Sequence, residues 1–281
     1  LINSGPSMAP VAGNFYLKKN KHFKQGIVTD LGGTTFDISL IKNNKIPRTR
    51  ETWIGEKYRG HMTGFSSIDI RSIGAGGGSI AWIDKGGMLH VGPESAGANP
   101  GPVCYDKGGE KTTVTDAALV LGILNSDFFL GGKIKLNKNL ALRSIKNINK
   151  KLGMNEYDTA LSILDVVTQN MAQEIKSLTI HQGINPSESL IIAGGGASGI
   201  NILNLAKNLG CKSIIIPDMG PVISASGAVI AELTDEFSIT YPSKLNNLDL
   251  KLTNKILKEL FNKCNKFAKT NVKNSISHKI D

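Results

Sequence analysis

Alternating apolar and polar positions mark the first regular structure along the chain. Residues Gly26–Ile41 alternate on both sides of a glycine pair, Gly32 and Gly33. A period of two is typical of a half-buried strand, and paired glycines are typical of tight turns between strands. We predict two strands joined by this turn, with a returning strand over Ile46–Ile54.

A second pair of strands is predicted over Ile68–Leu89. Small residues, Gly74–Gly78, interrupt this segment, and Asp84–Gly87 has the composition of a hairpin turn. From Thr115 the apolar spacing changes to three and four residues, which is typical of helices that bury one face. The expected helices are Asp116–Leu124, Lys138–Lys151, Tyr157–His181, Ser198–Leu209, Gly220–Leu233 and a tail from Lys251, and the expected later strands are Leu190–Ala193 and Ser213–Ile216.

This order of elements predicts an α/β fold. Strands clustered early, followed by helices that alternate with strands, indicate a mixed sheet with helices on its faces. The chain has 281 residues, of which 40% are hydrophobic and 20% charged, and these proportions are ordinary for a globular protein. No apolar run approaches the roughly 18 residues that a membrane-spanning helix needs, so no membrane partner is expected.

The formal net charge of +10 raises the question of a nucleic-acid partner. Lysine outnumbers arginine, and aromatic residues make up only 6% of the chain, whereas base-reading surfaces use arginine and interleaved aromatic side chains. We interpret the lysines as solvated helix faces and expect no nucleic-acid partner. Cys104, Cys211 and Cys264 form no CxxC pair, so we expect reduced thiols, a cytoplasmic location and no zinc site.

The strongest candidate for chemistry is the segment Asp30–Asp37, which reads Asp-Leu-Gly-Gly-Thr-Thr-Phe-Asp. Glycines in a turn let backbone amides approach an anion closely, and the hydroxyls of Thr34 and Thr35 can donate to phosphate oxygens. Asp30 and Asp37 can hold Mg²⁺, directly or through its water molecules. The alternative interpretation is an ordinary β-hairpin with a Gly-Gly turn.

The second candidate is a strand that runs into Gly194, Gly195 and Gly196 and then into a helix. A helix N-terminus presents unpaired N–H groups and the positive end of its dipole, so such a unit can bind a nucleotide. Tight packing of a strand against a helix also requires glycine, and that alternative stays open.

Other residues carry open alternatives. Glu94 and Asp116 could support a metal or act as general bases, and Asp116 could instead cap a helix. His61 could be a base or a metal ligand, or a partly buried structural residue. Gly74–Ser79 could form a nest of N–H groups beside the phosphates, or a bulged strand in close backbone packing. Cys104 has no evident neighbour that would lower its thiol pKa, so we do not expect it to be a nucleophile.

Together, the two glycine segments resemble the second phosphate loop and the adenosine loop of the actin, heat-shock chaperone and sugar-kinase superfamily. Stretches between them are similar to the hydantoinase A, 5-oxoprolinase and acetone carboxylase family: Arg59–Ser67, Ile73–Trp82, Val91–Tyr105 and Thr113–Ala117. The segments Gly64–Arg71 and Ala197–Asn201 resemble the acetone or acetophenone carboxylase branch. Ring-opening members more often carry His where Arg71 stands, and family members commonly carry Asp where Asn99 stands.

The resemblance implies a ribonuclease-H-like mixed sheet, the second lobe of an actin-like ATPase, with the nucleotide at its carboxyl edge. It implies ATP and Mg²⁺ as cofactors, and it suggests a small carbonyl substrate that is activated by phosphorylation for lactam ring hydrolysis or ketone carboxylation. The phosphate and metal contacts expected are Asp30, Asp37, Gly32, Gly33, Thr34 and Thr35; the adenosine contacts are Gly194, Gly195 and Gly196; the catalytic carboxylates are Asp30, Asp37, Glu94 and Asp116.

The resemblance also implies partners and boundaries. We expect a hydantoinase B-type subunit and an upstream lobe that carries the first phosphate loop before Leu1, and hence only background ATP turnover from these 281 residues alone. The expected division is a connecting segment over residues 1–25, the actin-like domain over 26–235 and a truncated helical tail over 236–281. A non-catalytic nucleotide-binding scaffold and an inactive relic of the family remain as alternatives.

Overall fold

A computed structural model describes residues 5–54, 58–233, 235 and 237–271. The chain divides into two compact units, Leu1–Ala231 and Glu232–Asp281. In the smaller unit a 3₁₀ turn covers Leu245–Asn247. Among the residues described, no helix is long and apolar enough to cross a membrane.

Most of the strands come early in the chain, and helices alternate with strands in its second half, as the sequence pattern predicts. The strands are β1 (Gln25–Leu31), β2 (Phe36–Lys42), β3 (Arg48–Thr49), β4 (Trp53–Ile54), β5 (His61–Met62), β6 (Ser67–Ile68), β7 (Ile70–Ile73), β8 (Ser79–Ile83), β9 (Leu89–Ser95), β10 (Leu190–Gly194) and β11 (Ser213–Ile215). The helices are α1 (Ala9–Lys19), α2 (Val114–Val120), α3 (Lys138–Leu152), α4 (Glu156–Gln182), α5 (Ile202–Leu209), α6 (Ile223–Ile230) and, in the smaller unit, α7 (Leu250–Asn271). In the larger unit, 3₁₀ helices cover Pro6–Met8, Val103–Tyr105, Pro186–Glu188, Ser198–Ile200 and Gly220–Val222.

The central sheet has five strands in the order β11-β10-β1-β2-β7. β2 is antiparallel to both of its neighbours, whereas β1, β10 and β11 run parallel. This mixed sheet with helices on its faces confirms the expected fold class. Asp30 of β1 lies opposite Gly194 of β10, so the loops that follow these two parallel strands leave the sheet at the same edge.

Both faces of the sheet are buried, because successive side chains of a strand point to opposite sides. Ile27 of β1 and Ile191 of β10 belong to a large core that also contains residues of α2, α3, α4 and α5. Their neighbours Val28 and Ile192 belong to a second core with residues of α1 and α6. The sheet is therefore the middle layer between two sets of helices.

Helix α4 confirms the helix predicted over Tyr157–His181. The side chain of Asn155 accepts a hydrogen bond from the Asp158 N–H at the start of the helix, and Gly183 ends it with a φ of 61°. Asparagine and glycine are favoured at these two positions because they satisfy or release the free backbone groups of a helix end. The stripe that faces the core comprises Ala160, Ile163, Val167, Met171, Ile175 and Leu178.

Helix α1 lies within residues 1–25, which the sequence pattern suggested to be a connecting segment. Its residues Ala12 and Leu17 are buried. A side chain at Gly13 would overlap the methyl groups of Val28 on β1, so the helix packs closely against the sheet. The pattern missed this helix because its buried residues are mostly small: Ala9, Pro10, Ala12 and Gly13 accompany a single long apolar side chain, Leu17.

The region after β2 also differs from the expectation. The returning strand predicted over Ile46–Ile54 is replaced by the short strands β3 and β4, which pair with β6 and β5 outside the central sheet. β7 takes the place beside β2 instead. The hairpin turn predicted at Asp84–Gly87 is confirmed, since it joins β8 to β9.

Candidate functional site

Asp30 and Asp37 lie opposite each other on β1 and β2, at the two ends of the loop that contains Gly32–Thr35. Val28 lies two positions before Asp30 and belongs to the core beneath α1 and α6, so both carboxylates are on that face of the sheet. Ser224 of α6 donates a hydrogen bond from its Oγ to Asp30 Oδ2 at 2.9 Å. Two half-buried carboxylates and a hydroxyl therefore converge at the base of the loop.

The environment of Asp37 disfavours its charged form. Burial raises the pKa of Asp37 above its ordinary value, a hydrogen bond with the Ser72 side chain opposes this shift, and the negative charge of Asp30 adds to it. Asp37 Oδ1 is buried and has no hydrogen-bond partner among the residues described. A buried carboxylate oxygen without a partner is costly, and a cation or one of its water molecules would satisfy it.

These two carboxylates fit the way in which proteins hold magnesium. The described residues contain no group of three or more His, Cys, Asp and Glu side chains arranged to hold a metal ion. Mg²⁺ does not require one, because it takes one or two carboxylates and completes its coordination with substrate phosphates and water. The unpartnered Asp37 oxygen beside Asp30 is thus compatible with the expected ion.

The loop between β1 and β2 presents free backbone donors. The Gly32 N–H donates to the Thr35 carbonyl oxygen at 3.0 Å and closes the turn. Within the described part of the chain, no hydrogen bond uses the N–H groups of Gly33, Thr34 or Thr35, and all three residues are exposed. Adjacent unpaired N–H groups and two hydroxyls are suited to bind phosphate oxygens.

The glycine-rich segment Gly74–Gly78 packs directly on this loop. The Gly77 N–H donates to the Gly32 carbonyl oxygen at 3.0 Å, and the Gly78 N–H donates to the Gly33 carbonyl oxygen at 2.6 Å. These bonds orient the two loop carbonyls away from the exposed side of the loop. The segment therefore supports the phosphate loop from behind.

No free nest of N–H groups exists between residues 75 and 79. Each of these N–H groups donates within the protein, and a Cβ at Gly76 would lie 2.5 Å from the Thr34 nitrogen. The segment is closely packed, as one interpretation expected, but it is a turn between β7 and β8 and not a bulged strand; the anion-nest interpretation is wrong. For the N–H groups of residues 75 to 79, taken in that order, the acceptors are oxygens of Ile73, Ser79, Gly32, Gly33 and Gly76.

The glycines after β10 serve different purposes. A side chain at Gly194 would overlap Ile223, and one at Gly195, whose φ is 89°, would overlap the backbone of Leu31. Gly196 is exposed, and a Cβ there would have no atom within 4 Å. Packing thus explains the first two glycines, and Gly196 alone of the three is open to a ligand.

The three glycine segments meet at the carboxyl edge of the sheet. The Ala197 N–H donates to the Leu31 carbonyl oxygen at 3.0 Å, next to the phosphate loop. A Cβ at Gly77 would lie 3.7 Å from the Ala197 Cβ and 3.1 Å from Thr115 Oγ1. Thr115 Oγ1 donates to the Gly77 carbonyl oxygen at 2.7 Å. The arrangement is a rigid backbone cradle whose exposed side is formed by Gly33, Thr34, Thr35 and Gly196.

Comparison with known proteins identifies the family of the chain. The sequence profile described as Hydantoinase/oxoprolinase matches residues 1–237. The chain belongs to the hydantoinase/oxoprolinase family. Among relatives, the chain is 38% identical to caprolactamase subunit alpha of Pseudomonas jessenii over 92% of its own length. It is 36% identical to the acetophenone carboxylase gamma subunit of Aromatoleum aromaticum over 83% of its length.

A solved structure of the family also resembles the chain. The crystal structure of ATP-dependent caprolactamase from Pseudomonas jessenii matches with a TM-score of 0.78 and 33% identity, over 96% of this chain and 39% of that chain. The chain spans 37% of the length of caprolactamase subunit alpha and 31% of the acetophenone carboxylase gamma subunit. Both kinds of family member, the lactam-opening and the carboxylating, are therefore among its relatives.

Asp116 has a structural role at the start of α2. It is fully buried, and Thr113 and Asp116 form a capping box at the start of α2. Asp116 Oδ2 accepts from the Thr113 N–H and hydroxyl, both at 2.8 Å, and from the Val103 N–H at 3.3 Å. Oδ1 accepts from the Cys104 N–H at 2.7 Å. The helix-cap interpretation is confirmed in part: Asp116 belongs to the capping box, but Thr113, three residues earlier, is the N-cap residue.

Cys104 is inert in this environment, as the sequence suggests. Its side chain is fully buried. Burial, reinforced by the neighbouring charge of Asp116, raises the pKa of the Cys104 thiol far above its ordinary value. A thiol that stays protonated is a poor nucleophile.

Glu94 lies apart from the carboxylate pair, in the lining of a pocket that the sequence did not reveal. This pocket has a volume of about 320 Å³ and is lined by residues of β8, β9 and the two loops that follow. Glu94 Oε1 accepts a hydrogen bond from Lys111 Nζ at 2.7 Å, and both side chains are largely exposed. Its contacts therefore link Glu94 to Lys111 rather than to a metal site at Asp30 and Asp37.

His61, Arg71 and Asn99 also find places outside the carboxylate pair. His61 is exposed on β5, so it is neither partly buried nor among the described contacts of the phosphate loop. Arg71 lies on β7 with its Nε 4.0 Å from Asp69 Oδ1. Asn99 is exposed and directly precedes Pro100, which lines the pocket.

Sequence reasoning did not single out Ser72 or Ser224, whose side chains bond to the carboxylate pair, nor Lys111. Ser224, which bonds to Asp30, is 194 residues away along the chain. Lys111, which pairs with Glu94, lies in a loop with no motif around it. A serine on a small-residue helix and a loop lysine carry no local signal, because only the folded chain brings them to their partners.

Proposed function

We propose that this chain forms the phosphate-binding part of an ATP-dependent enzyme that activates a carbonyl group by phosphorylation. The observation that carries the proposal is the exposed row of unpaired N–H groups at Gly33, Thr34 and Thr35, directly above the Asp30–Asp37 pair. Transfer of a phosphoryl group depends mainly on positioning and on neutralising negative charge. A rigid turn with free donors and two adjacent carboxylates supplies both.

Each residue of the cradle has a separate task in this proposal. The N–H groups and hydroxyls of Gly33, Thr34 and Thr35 bind phosphate oxygens, and Asp30 and Asp37 hold the ion. Asp30 and Asp37 would hold Mg²⁺, which would supply positive charge to offset the negative charge of the phosphates. Ser224 fixes the orientation of Asp30 through its 2.9 Å hydrogen bond, so that one Asp30 oxygen stays available.

The nucleoside end of ATP is proposed to lie beside Gly196. The phosphate loop and the loop after β10 are linked by the hydrogen bond from the Ala197 N–H to the Leu31 carbonyl oxygen. Gly196 is the open position of that loop. A flat purine or ribose can approach a backbone that has no Cβ.

The complete reaction is proposed to need further polypeptide. The relatives are named as subunits, and the chain spans 37% of one and 31% of the other. We propose an N-terminal lobe with a first phosphate loop and a hydantoinase B-type subunit as its partners, in the cytoplasm. The activity is then either the hydrolysis of a cyclic amide or the carboxylation of a ketone.

A non-catalytic nucleotide-binding scaffold is the second candidate. It would need the cradle but not a separate small-molecule pocket. The pocket of about 320 Å³ lined by Glu94 and Lys111 favours the enzyme, because its size is within the range of small-ligand sites, about 300 to 1,000 Å³.

The test combines nucleotide binding with phosphate release. Titration calorimetry of the chain with Mg²⁺ and ATP is expected to show binding that Thr34→Val weakens and Thr253→Val, on α7, does not. Phosphate release is then measured with the co-expressed upstream lobe and partner, against hydantoin, 5-oxoproline, and acetone or acetophenone with bicarbonate. Phosphate release that none of these carbonyl compounds stimulates would contradict the enzyme proposal and favour the scaffold.

A further inference from the structure

Helix α2 holds the glycine-rich segment behind the phosphate loop through one residue, Thr115. The Thr115 N–H donates to the Gly77 carbonyl oxygen at 2.8 Å, and Thr115 Oγ1 donates to the same oxygen at 2.7 Å. The first N–H groups of a helix have no partner within the helix, so this one can bond to another segment. Thr115 is 5% exposed, and its two donors use both lone pairs of the Gly77 oxygen.

The peptide unit that Thr115 holds also bonds to the phosphate loop. The Gly77 carbonyl and the Gly78 N–H belong to one planar trans peptide unit, in which they point in opposite directions. The Gly78 N–H donates to the Gly33 carbonyl oxygen at 2.6 Å. Because the unit is rigid, fixing its carbonyl on one side fixes the direction of its N–H on the other.

The same relation holds one step further along, inside the loop. The Gly33 carbonyl and the Thr34 N–H share another trans peptide unit, so a carbonyl held by Gly78 turns the Thr34 N–H to the opposite side. Thr34 is exposed, and no hydrogen bond in the described part of the chain uses its N–H. Hydrogen bonds in series polarise one another. The series that begins at the Thr115 hydroxyl therefore ends at an open donor.

Close backbone packing keeps this series of bonds in place. A Cβ at Gly76 would lie 2.5 Å from the Thr34 nitrogen, and a Cβ at Gly78 would lie 2.8 Å from the Gly33 oxygen. Glycine at these positions lets one backbone lie directly on another. The series otherwise consists of backbone groups, so the Thr115 hydroxyl is the member that a substitution can remove.

We propose that Thr115 is a positioning residue: its hydroxyl, acting through these two peptide units, directs the Thr34 N–H at a phosphate oxygen of the nucleotide. This inference rests on the proposed function and adds to it a residue that touches neither the nucleotide nor the metal. Donors that are fixed in advance stabilise negative charge without having to reorganise. Without the hydroxyl, the Gly77 carbonyl keeps only the Thr115 N–H, and the Thr34 donor is held less firmly.

The first test removes the hydroxyl and keeps the shape of the side chain. Thr115→Val is expected to weaken Mg²⁺-ATP binding about three- to tenfold in titration calorimetry, as the loss of one hydrogen bond predicts. Thr115→Ser restores the hydroxyl and is expected to bind within about twofold of the unaltered chain. Unchanged affinity in Thr115→Val, or an equal loss in Thr115→Ser, would overturn the inference.

Thr179→Val is the matched control for a purely structural effect. Thr179 is also buried, and its Oγ1 donates to the Ile175 carbonyl oxygen at 2.8 Å within α4, away from the loop. Its substitution is expected to leave the affinity for Mg²⁺-ATP unchanged. Urea unfolding of all three variants checks that each is folded. A loss of affinity in Thr179→Val equal to that in Thr115→Val would show that the effect is not specific to the loop.

Inorganic tripolyphosphate separates the phosphates from the nucleoside. Because the Thr34 N–H is proposed to bind phosphate, Thr115→Val is expected to weaken the binding of magnesium tripolyphosphate by the same factor as that of Mg²⁺-ATP. A loss confined to ATP would place the effect at the nucleoside and contradict the positioning of Thr34.

Amide NMR of the unaltered chain follows the series of bonds without any substitution. Tripolyphosphate is expected to shift the Thr34 and Gly78 amide resonances together, since an anion at one donor strengthens the bond behind it. A shift at Thr34 alone leaves the phosphate site in place and overturns the series. Failure of the unaltered chain to bind either ATP or tripolyphosphate contradicts the proposed function, and this inference with it.

Discussion

Asp30 and Asp37 are cross-strand neighbours on β1 and β2, and one oxygen of Asp37 is buried without a hydrogen-bond partner in the described structure. Ser224 donates a hydrogen bond to Asp30, whereas Asp37 has one oxygen that accepts no hydrogen bond. A site that leaves a buried carboxylate oxygen unpaired sacrifices stability at that position. The unsatisfied oxygen is the feature that a bound cation would use.

The first prediction concerns the pH dependence of stability. Because the pKa of Asp37 is raised in the folded state, the folded chain binds this proton more tightly than the unfolded chain does. Stability contributed by the protonated form is present below the unfolded pKa and falls as pH rises through the raised value. As pH rises from about 4 to about 7, the free energy of unfolding of the unaltered chain should fall. It should fall less in the Asp37→Asn variant, which has no carboxyl group to titrate at this position.

Urea unfolding at a series of pH values, with a chelator present, measures this difference. Asp127→Asn is the matched control, because its carboxylate is exposed and its ion pair is on the surface. Stability curves for Asp37→Asn and the unaltered chain that run parallel over this range would show that Asp37 does not carry the effect.

The second prediction concerns the hydroxyl that holds Asp30. Ser224→Ala removes the 2.9 Å hydrogen bond to Asp30 Oδ2 and frees the carboxylate to turn. A hydrogen bond to a charged group contributes about 1.5–3 kcal/mol, so we expect Mg²⁺-ATP binding to weaken about tenfold, measured by titration calorimetry. Ser226→Ala is the control, since Ser226 lies on the same helix and bonds to the Ile223 carbonyl oxygen. Equal effects of the two substitutions would contradict a specific role for Ser224.

The third prediction separates the glycines after β10. Gly195→Ala would place a Cβ against the Leu31 backbone at a φ of 89°, and we expect a loss of about 2–4 kcal/mol in the free energy of unfolding. Gly196→Ala meets no atom within 4 Å, so its stability should change by less than about 0.5 kcal/mol. Its affinity for ATP should fall, because the new methyl group occupies the open side. Denaturant unfolding and nucleotide titration of both variants check the pair.

The fourth prediction concerns Asp116. Asp116→Ala leaves the N–H groups of Val103, Cys104 and Thr113 without their acceptor in a buried place, so we expect a loss of about 3–5 kcal/mol in stability. Thr113→Ala, which removes only the cap hydroxyl, should cost about 1 kcal/mol. Thermal and urea unfolding give both values. A fully stable Asp116→Ala variant would show that the carboxylate is not the structural anchor of this loop.

Much of the fold follows from local patterns in the sequence. The alternation around Gly32–Gly33 predicts β1 and β2, and the apolar stripe within Tyr157–His181 predicts α4. Those signals lie within a few residues of the structure that they specify. Helix α1 was not predicted because most of its buried residues are small, with Leu17 as the one long apolar side chain. The strand expected over Ile46–Ile54 is replaced by short strands that pair with residues farther along the chain.

The sequence by itself determined which segments could carry chemistry, and the family resemblance built on those segments is confirmed by the match over residues 1–237. It did not determine what each glycine does. Gly76, Gly195 and Gly196 are all glycines in the sequence. The first two pack so closely on neighbouring backbone that a side chain would overlap it, whereas the third has open space beside it. A glycine that admits a ligand and one that admits a neighbouring strand have the same local signature.

Only the tertiary structure decided the roles of the carboxylates. Asp37 faces Asp30 and keeps a free oxygen, Asp116 spends both oxygens on backbone donors, and Glu94 pairs with Lys111 in a separate pocket. The physical reason is that a carboxylate's task depends on which donors and charges the fold brings within about 3 Å, and these partners come from other strands, loops and helices than its own.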